Sequence, residues 1–200
     1  AEAFYGLPLQ NGYGMTETTA GVTLTTNAMG DPDLSAGPPL PGVQIALDHR
    51  TSREAGTGEV LTRGPHIMRG YFRDAAATRQ VLDADGWLRT GDLGRIDDQG
   101  RLLIVGRCKE LIIRGGFNVY PPEVEAALND HPAVAQTAVI GRMREGGDEE
   151  VLAFCQLTAP GAATSGALAA HAAARLSAYK RPSRIILTGP LPAASTGKVL

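Results

Sequence analysis

The chain has 200 residues, of which 43% are hydrophobic and 20% charged, a composition typical of folded proteins rather than disordered segments. Its formal net charge of -2 comes without a run of Lys or Arg, which argues against a nucleic-acid or membrane-surface binder. No apolar stretch approaches the roughly 18 residues of a membrane-spanning helix, and Cys108 and Cys155 lack metal-ligand spacing, so we expect two reduced thiols in a cytoplasmic protein.

The first hundred residues alternate short apolar runs with Gly, Pro and Asp clusters, a pattern that predicts strands and turns. The predicted strands cover residues 43–48, 58–63, 87–97 and 101–105. A short helix is predicted over residues 74–82, with Asp74 as its N-cap. Residues 97–100, Asp-Asp-Gln-Gly, predict a turn between the last two strands.

After Lys109 the pattern changes to strands alternating with helices. The predicted strands cover residues 111–113, 133–140, 151–157 and 184–187, and the predicted helices cover 121–129 and the Ala-rich stretch 162–175. The Ala-rich stretch could instead be a low-complexity linker. We therefore predict an α+β fold: a β-rich unit over residues 1–108, then a small α+β domain over residues 109–200.

Two segments of the first unit combine residue types that suit a nucleotide. Asn-Gly-Tyr-Gly-Met-Thr-Glu, residues 11–17, places an aromatic ring, a hydroxyl and a carboxylate among glycines, so it could hold a purine, a phosphate and Mg²⁺. The ordinary alternative is a Gly-rich turn with a packed Tyr. Asp92 follows Gly91, and its two oxygens could accept both hydroxyls of a ribose, although an Asp at this place could simply cap a turn.

Two segments of the second unit are also of interest. Residues 106–125 contain a charged cluster, a strand, the pair Gly115-Gly116 and a Pro-initiated helix with acidic residues in its first turn. Residues 191–198, Leu-Pro-Ala-Ala-Ser-Thr-Gly-Lys, are a polar stretch that presents Lys198 near the end of the chain. Taken singly, the first segment could be a solvated charged loop followed by an ordinary helix, and Lys198 could simply be a solvated lysine, as most such lysines are.

In their order and spacing, the four segments resemble the adenylate-forming (AMP-binding) superfamily, which includes acyl-CoA and aryl-CoA synthetases, luciferases and peptide-synthetase adenylation domains. The resemblance extends over essentially all 200 residues. Lys109 and the stretch Arg-Gly-Gly-Phe-Asn-Val-Tyr-Pro-Pro-Glu-Val-Glu, residues 114–125, are more similar to acyl-CoA synthetases than to peptide-synthetase domains. The resemblance implies that residues 1–108 are the C-terminal part of a large adenylating domain, with a distorted β-barrel, and that residues 109–200 are its mobile lid domain.

The resemblance also implies a role for each matching residue of the first unit. Tyr13 would stack on adenine, Thr16 would contact the α-phosphate and Glu17 would ligate Mg²⁺. Asp92 and Arg107 would hold the ribose hydroxyls. The implied nucleotide-binding set is Gly12, Tyr13, Thr16, Asp92, Arg107 and Lys198, and the implied catalytic set is Thr16, Glu17 and Lys198.

In the second unit the implied roles concern movement and CoA. Lys198 would bridge the carboxylate substrate and the α-phosphate during adenylation. Lys109 would be the hinge about which the lid domain rotates between the two half-reactions, and Gly115 and Gly116 would line the CoA channel. The implied reaction converts a fatty or aryl carboxylic acid, ATP and CoA into acyl-CoA, AMP and pyrophosphate through an acyl-adenylate.

The sequence departs from the superfamily in lacking its Ser/Thr/Gly-rich phosphate loop and most of the acid-binding domain. The chain starts without Met and stops shortly after Lys198, so we expect a C-terminal fragment that is inactive without the N-terminal part of the same enzyme. Two alternatives stay open: an adenylating enzyme with another acceptor, such as a carrier-protein thiol or oxygen, and a non-catalytic nucleotide-binding paralogue.

Overall fold

A computed structural model of the chain describes residues 2–31, 33–52 and 54–193. The chain divides into two compact units, Ala1–Cys108 and Lys109–Leu200. Both contain short helices and mixed or antiparallel sheets, so the predicted α+β class is confirmed. No helix among the described residues is both long and apolar enough to cross a bilayer.

The first unit is built around one antiparallel sheet of four strands in the order β3-β4-β5-β6. A two-stranded ribbon, β1-β2, lies outside that sheet. The elements are α1 Glu2–Tyr5, β1 Gly12–Tyr13, a 3₁₀ helix Thr16–Thr18, β2 Thr23–Leu24, β3 Gln44–Asp48, a 3₁₀ helix His49–Thr51, β4 Gly58–Arg63, α2 Ala75–Val81, β5 Leu88–Ile96 and β6 Leu102–Arg107.

The expected distorted barrel takes the form of an open sheet. Among the described residues, no pairing joins β3 to β6, and four strands are fewer than the about five to eight that small closed barrels contain. The apolar interior of this unit includes Val60, Leu88, Leu93 and Leu102, each at most 1% exposed. The helix predicted after Asp74 is confirmed, since the Asp74 carboxylate accepts a hydrogen bond from Ala77 N at 2.8 Å.

The second unit packs two helices against a three-stranded sheet in the order β11-β10-β9. Strand β10 pairs antiparallel with β9 and parallel with β11. The elements are β7 Ile112–Arg114, β8 Phe117–Val119, α3 Pro121–Asn129, β9 Val134–Met143, β10 Glu149–Leu157, α4 Ser165–Ala173, a 3₁₀ helix Ala178–Lys180 and β11 Arg184–Thr188.

One apolar core holds the second unit together. Every second residue of β10 from Val151 to Cys155 belongs to this core, together with Val139 of β9, as expected for one face of a sheet. The fully buried members of this core are Val119, Val124, Leu128, Val151, Ala153, Cys155 and Leu168. The Ala-rich stretch is a helix rather than a linker, because Thr164 caps it and Leu168 anchors it in the core.

Candidate functional site

Asp92 is placed by an irregularity in the sheet of the first unit. Between the pairs Glu59↔Leu93 and Leu61↔Arg89 the register of β4 and β5 shifts, and Gly91 adopts a φ of +75°. Such bulges re-aim side chains and recur beside functional sites. Asp92 lies in the middle of β5 and is 8% exposed. Because of the bulge, the simple alternation of side chains along a strand does not determine which way its side chain faces.

Neighbouring polar groups fix this bulge. The Thr90 hydroxyl donates to the carbonyl of Val60 at 2.8 Å and accepts from Asp92 N at 3.1 Å. The carboxylate of Glu59 accepts from Gly91 N at 3.1 Å. Because Glu59 is only 6% exposed and also bonds Arg89, the backbone that carries Asp92 is tied to a buried, charge-paired carboxylate.

Tyr13, Asp92 and Arg107 come together in this place. The Tyr13 hydroxyl donates to Asp92 Oδ2 at 2.6 Å, across 79 positions of sequence. Arg107 Nε donates to Asp92 Oδ1 at 3.1 Å, and the two residues are direct cross-strand partners on β5 and β6. We call these three residues the ribose cluster.

The chemistry of the ribose cluster suits a diol. Burial, followed by the hydrogen bond to Asp92, raises the pKa of Tyr13, so its hydroxyl stays protonated and donates. A carboxylate offers about four lone-pair sites, of which Tyr13 and Arg107 use two. The remaining sites can accept from two further hydroxyl groups.

The neighbouring segment after Tyr13 forms a tight turn that exposes Thr16. Residues Thr16–Thr18 are a 3₁₀ helix, and the buried Thr18 hydroxyl bonds the backbone of Met15 in both directions. Gly14 lies against this turn so closely that an added Cβ would come 1.9 Å from the carbonyl oxygen of Ala20. The glycine is therefore required for backbone proximity, while Gly12 sits in the ribbon as the partner of Leu24.

Glu17 is half-buried, and one of its oxygens is bonded. Glu17 Oε1 accepts from the hydroxyl of Tyr71 at 2.8 Å, and within the described part of the chain its Oε2 accepts no hydrogen bond. No group of three or more His, Cys, Asp or Glu side chains among the described residues could hold a metal ion alone. Mg²⁺ commonly takes one or two carboxylates and completes its shell with water and phosphate oxygens, so the single free oxygen of Glu17 fits that ion.

The two glycines predicted as site residues of the second unit offer a ligand backbone groups rather than side chains. Gly115 and Gly116 have φ values of +57° and +80° and form the two-residue turn between β7 and β8, a conformation that suits paired glycines. A Cβ on either glycine would meet nothing within 4 Å. Lys109 is exposed at the first position of this unit, and Lys198 lies outside the described residues.

Sequence reasoning missed two features of the site. Tyr71 was not singled out, because a Gly-Tyr pair before a short helix resembles any turn. The buried Glu59 was also missed, since a charged residue within a strand usually faces solvent. The sequence did contain an indication of this buried carboxylate, because the strand after Glu59 carries a cation, Arg89. In the structure Arg89 bonds both Glu59 and the similarly buried Asp48.

Comparison with protein families places both ends of the chain in one enzyme family. Residues 1–72 match the model of the AMP-binding enzyme, and residues 123–198 match that of the AMP-binding enzyme C-terminal domain. The second match extends over the segment that carries Lys198.

Individual proteins resemble the chain along nearly its whole length. A 2-succinylbenzoate–CoA ligase of Bacillus cytotoxicus is 36% identical over 98% of this chain, which spans 40% of that ligase. The o-succinylbenzoate CoA synthetase MenE of Bacillus subtilis, solved with the acyl-adenylate OSB-AMP, superimposes with a TM-score of 0.86 at 33% identity over 100% of this chain and 41% of the synthetase. The same synthetase solved with ATP and a magnesium ion gives 0.85.

A third protein that the chain resembles is named for the formation of an amide bond. The amide bond synthetase McbA of Marinactinospora thermotolerans gives a TM-score of 0.81 at 32% identity, over 94% of this chain and 39% of McbA. The chain thus spans about 40% of the length of the proteins that it matches.

Proposed function

Since the chain belongs to the AMP-binding enzyme family, we propose that the complete protein is an AMP-forming acyl-CoA synthetase that acts on a fatty or aryl carboxylic acid. The first unit would supply part of its nucleotide site, and the second unit would be its lid domain. The curated relatives that are ligases of CoA support the choice of thiol.

The ribose cluster is the observation that carries this proposal. Three residues that the resemblance assigns to one adenosine share direct bonds, although Tyr13 and Asp92 are separated by 79 positions. The Tyr13 ring offers a face for adenine, and Asp92 retains lone pairs for the ribose hydroxyls. Arg107 would hold the Asp92 carboxylate in position through the hydrogen bond that it donates.

The phosphates would be bound by the turn that follows Tyr13. The exposed Thr16 hydroxyl would donate to the α-phosphate, and the free oxygen of Glu17 would ligate Mg²⁺. When bound, Mg²⁺ would offset the negative charge of the phosphates. Neither side chain needs to break an existing bond to act, since Glu17 keeps its contact with Tyr71 through the other oxygen.

The proposed reaction has two half-reactions. A carboxylate oxygen of the acid attacks the α-phosphorus of ATP, and the bond to the leaving pyrophosphate breaks. The thiol sulfur of CoA then attacks the carbonyl carbon of the adenylate, the acyl–phosphate bond breaks and AMP leaves, while the thiol proton passes to solvent. Lys198 would stabilise the charge that develops in the first half-reaction.

The second unit would act mainly in the second half-reaction. Rotation about Lys109 would withdraw Lys198 and bring the Gly115-Gly116 turn toward the CoA arm. The open space around both glycines supports this role, since a side chain there would occupy the path of a thin substrate.

The two free cysteines of the chain support a location in a reducing compartment such as the cytoplasm.

A second candidate function is transfer to another acceptor. The likeness to an amide bond synthetase indicates that this architecture also occurs with an amine acceptor, and a carrier-protein thiol is a further possibility. The ribose cluster would serve all of these reactions equally, because it concerns only adenylate formation.

The test measures pyrophosphate release by the full-length protein with ATP, Mg²⁺ and a panel of carboxylic acids. We expect release with one acid class and, when CoA is added, an acyl-CoA detected by mass spectrometry. The Lys198→Ala variant should lose about 10² to 10³ in adenylation rate yet still form the thioester from supplied acyl-adenylate. The 200-residue chain alone should release no pyrophosphate.

Three outcomes separate the candidates. Pyrophosphate release without any CoA thioester, but with amide or carrier-bound product, would favour the other acceptors. Absence of pyrophosphate with every acid, despite AMP binding, would favour a non-catalytic paralogue. Equal losses in both half-reactions for Lys198→Ala would contradict the two-conformation account.

A further inference from the structure

Tyr71 contacts Glu17 from a segment that none of the proposed roles includes. Its hydroxyl donates to Glu17 Oε1 at 2.8 Å across 54 positions of sequence. The contact therefore joins a hydroxyl donor to the carboxylate that is proposed to ligate a cation.

The contact belongs to a set of hydrogen bonds that holds two loops together. The Thr19 hydroxyl donates to the carbonyl of His66 at 2.7 Å, and Met68 N donates to the carbonyl of Glu17 at 2.8 Å. With the bond from Tyr71, residues 66–71 contact both the backbone and the side chain of the 3₁₀ turn. We call residues 66–71 the clamp segment.

The clamp segment is itself fixed to helix α2. Tyr71 N donates to the Thr78 hydroxyl at 2.9 Å, and that hydroxyl donates to the carbonyl of Asp74 at 2.8 Å. Asp74 N in turn donates to the carbonyl of Tyr71 at 3.2 Å. Because Asp74 is also the N-cap of α2, the position of the Tyr71 ring depends on the helix and not on a free loop.

Among the residues that the structure describes, Glu17 has one oxygen that accepts a hydrogen bond and one that accepts none. A carboxylate on a flexible side chain must lose rotamer freedom when it binds an ion, and a prior hydrogen bond reduces that loss. Hydrogen-bond partners of metal ligands orient the ligand and tune its affinity, and their removal typically costs about 10- to 100-fold in metal affinity or activity.

We propose that Tyr71 is a positioning residue, whose hydroxyl holds Oε1 of Glu17 so that Oε2 faces the magnesium ion of the bound nucleotide. The inference rests on the proposed function, because it takes Glu17 as the metal ligand. It goes further in assigning a role to the clamp segment and to the bond that crosses from it to the 3₁₀ turn. Tyr71 does not contact the reacting atoms in this account.

The test compares Tyr71→Phe with Tyr5→Phe in the full-length protein. Both changes remove one hydroxyl from an exposed tyrosine, since Tyr71 is 37% and Tyr5 70% exposed. The ring is retained, so both variants should keep the fold, as circular dichroism would verify. The probe is Mn²⁺, whose free concentration is read by electron paramagnetic resonance in the presence of an ATP analogue with an α,β-methylene bridge.

We expect Tyr71→Phe to weaken Mn²⁺ binding by about 10-fold and Tyr5→Phe to leave it unchanged. In pyrophosphate release, the Mg²⁺ concentration for half-maximal rate should rise by a similar factor, while the rate at saturating Mg²⁺ stays within about 3-fold. A purely structural role would lower the unfolding temperature without moving the Mn²⁺ affinity.

Each other outcome has a definite meaning. Wild-type Mn²⁺ affinity in Tyr71→Phe would overturn the positioning role and leave the proposed function standing, provided that pyrophosphate is still released. An unchanged affinity in Glu17→Gln would also overturn it, because Glu17 would then not be the ligand. Failure of the wild-type protein to bind the Mn²⁺–analogue complex at all would reject both the inference and the proposed nucleotide site.

Discussion

In the first unit three of the predicted site residues contact one another through side chains, whereas the two predicted glycines of the second unit present only backbone. Asp92 bonds two partners from other strands and is 8% exposed. Gly115 and Gly116 border open space, and their defining property is a positive φ. The first unit therefore supplies side-chain groups in fixed positions, while the second unit supplies a backbone turn attached to a packed core.

The apolar core of the second unit should be the part of the protein most sensitive to the loss of one side chain. Leu128→Ala removes a side chain that is 0% exposed and should destabilise this unit by about 2–5 kcal/mol. Hydrogen exchange read by mass spectrometry should show faster exchange in peptides of β9 and β10 but not in those of β4 and β5. Leu187→Ala, at a position 40% exposed, is the control, and equal exchange in both variants would mean that the core is not continuous.

A substitution in the ribose cluster should weaken the binding of ATP. Asp92→Asn removes the charge that Arg107 and Tyr13 share, and loss of a charge-assisted hydrogen bond costs about 1.5–3 kcal/mol. We therefore expect the KM for ATP of the full-length enzyme to rise by about 10- to 100-fold. The exposed turn residue Asp98, changed to Asn, controls for net charge, and an unaltered KM in Asp92→Asn would remove Asp92 from the site.

The glycine turn should show the smallest and most local effect. Gly116→Ala places a Cβ in open space but at a φ of +80°, so its cost of about 1–2 kcal/mol is conformational. Gly115→Asn is the matched control, since Asn-Gly suits the same turn. Hydrogen exchange of β7 and β8 should rise in Gly116→Ala alone, and the same rise in Gly115→Asn would contradict this turn assignment.

Local sequence rules predicted most of the regular elements. The strand at Gly58–Arg63 and the helix at Pro121–Asn129 have the predicted bounds, because apolar alternation and Pro at the first helical position are local properties. Strand β9 runs on to Met143 beyond the predicted end at residue 140, since ladder pairing with β10 continues where the side chains are already exposed.

Long-range contacts of the site were only partly predictable. The resemblance grouped Tyr13, Asp92 and Arg107, but not the sheet bulge or the buried Glu59 that places Asp92. Strand β8 and the ribbon β1-β2 were not predicted, since elements of two or three residues carry no periodicity. The partner of Glu17, 54 positions away, has no local sequence pattern at all.

The close approach at Gly14 has a consequence for anyone who wishes to redesign the loop of residues 14–21. Any other amino acid at position 14 would force the main chain to shift, because its Cβ would lie 1.9 Å from the carbonyl oxygen of Ala20. Gly21 is different: its nearest neighbour is the flexible end of Leu40 at 3.0 Å. A combinatorial library should therefore keep position 14 constant and place its diversity at position 21, starting with alanine and serine.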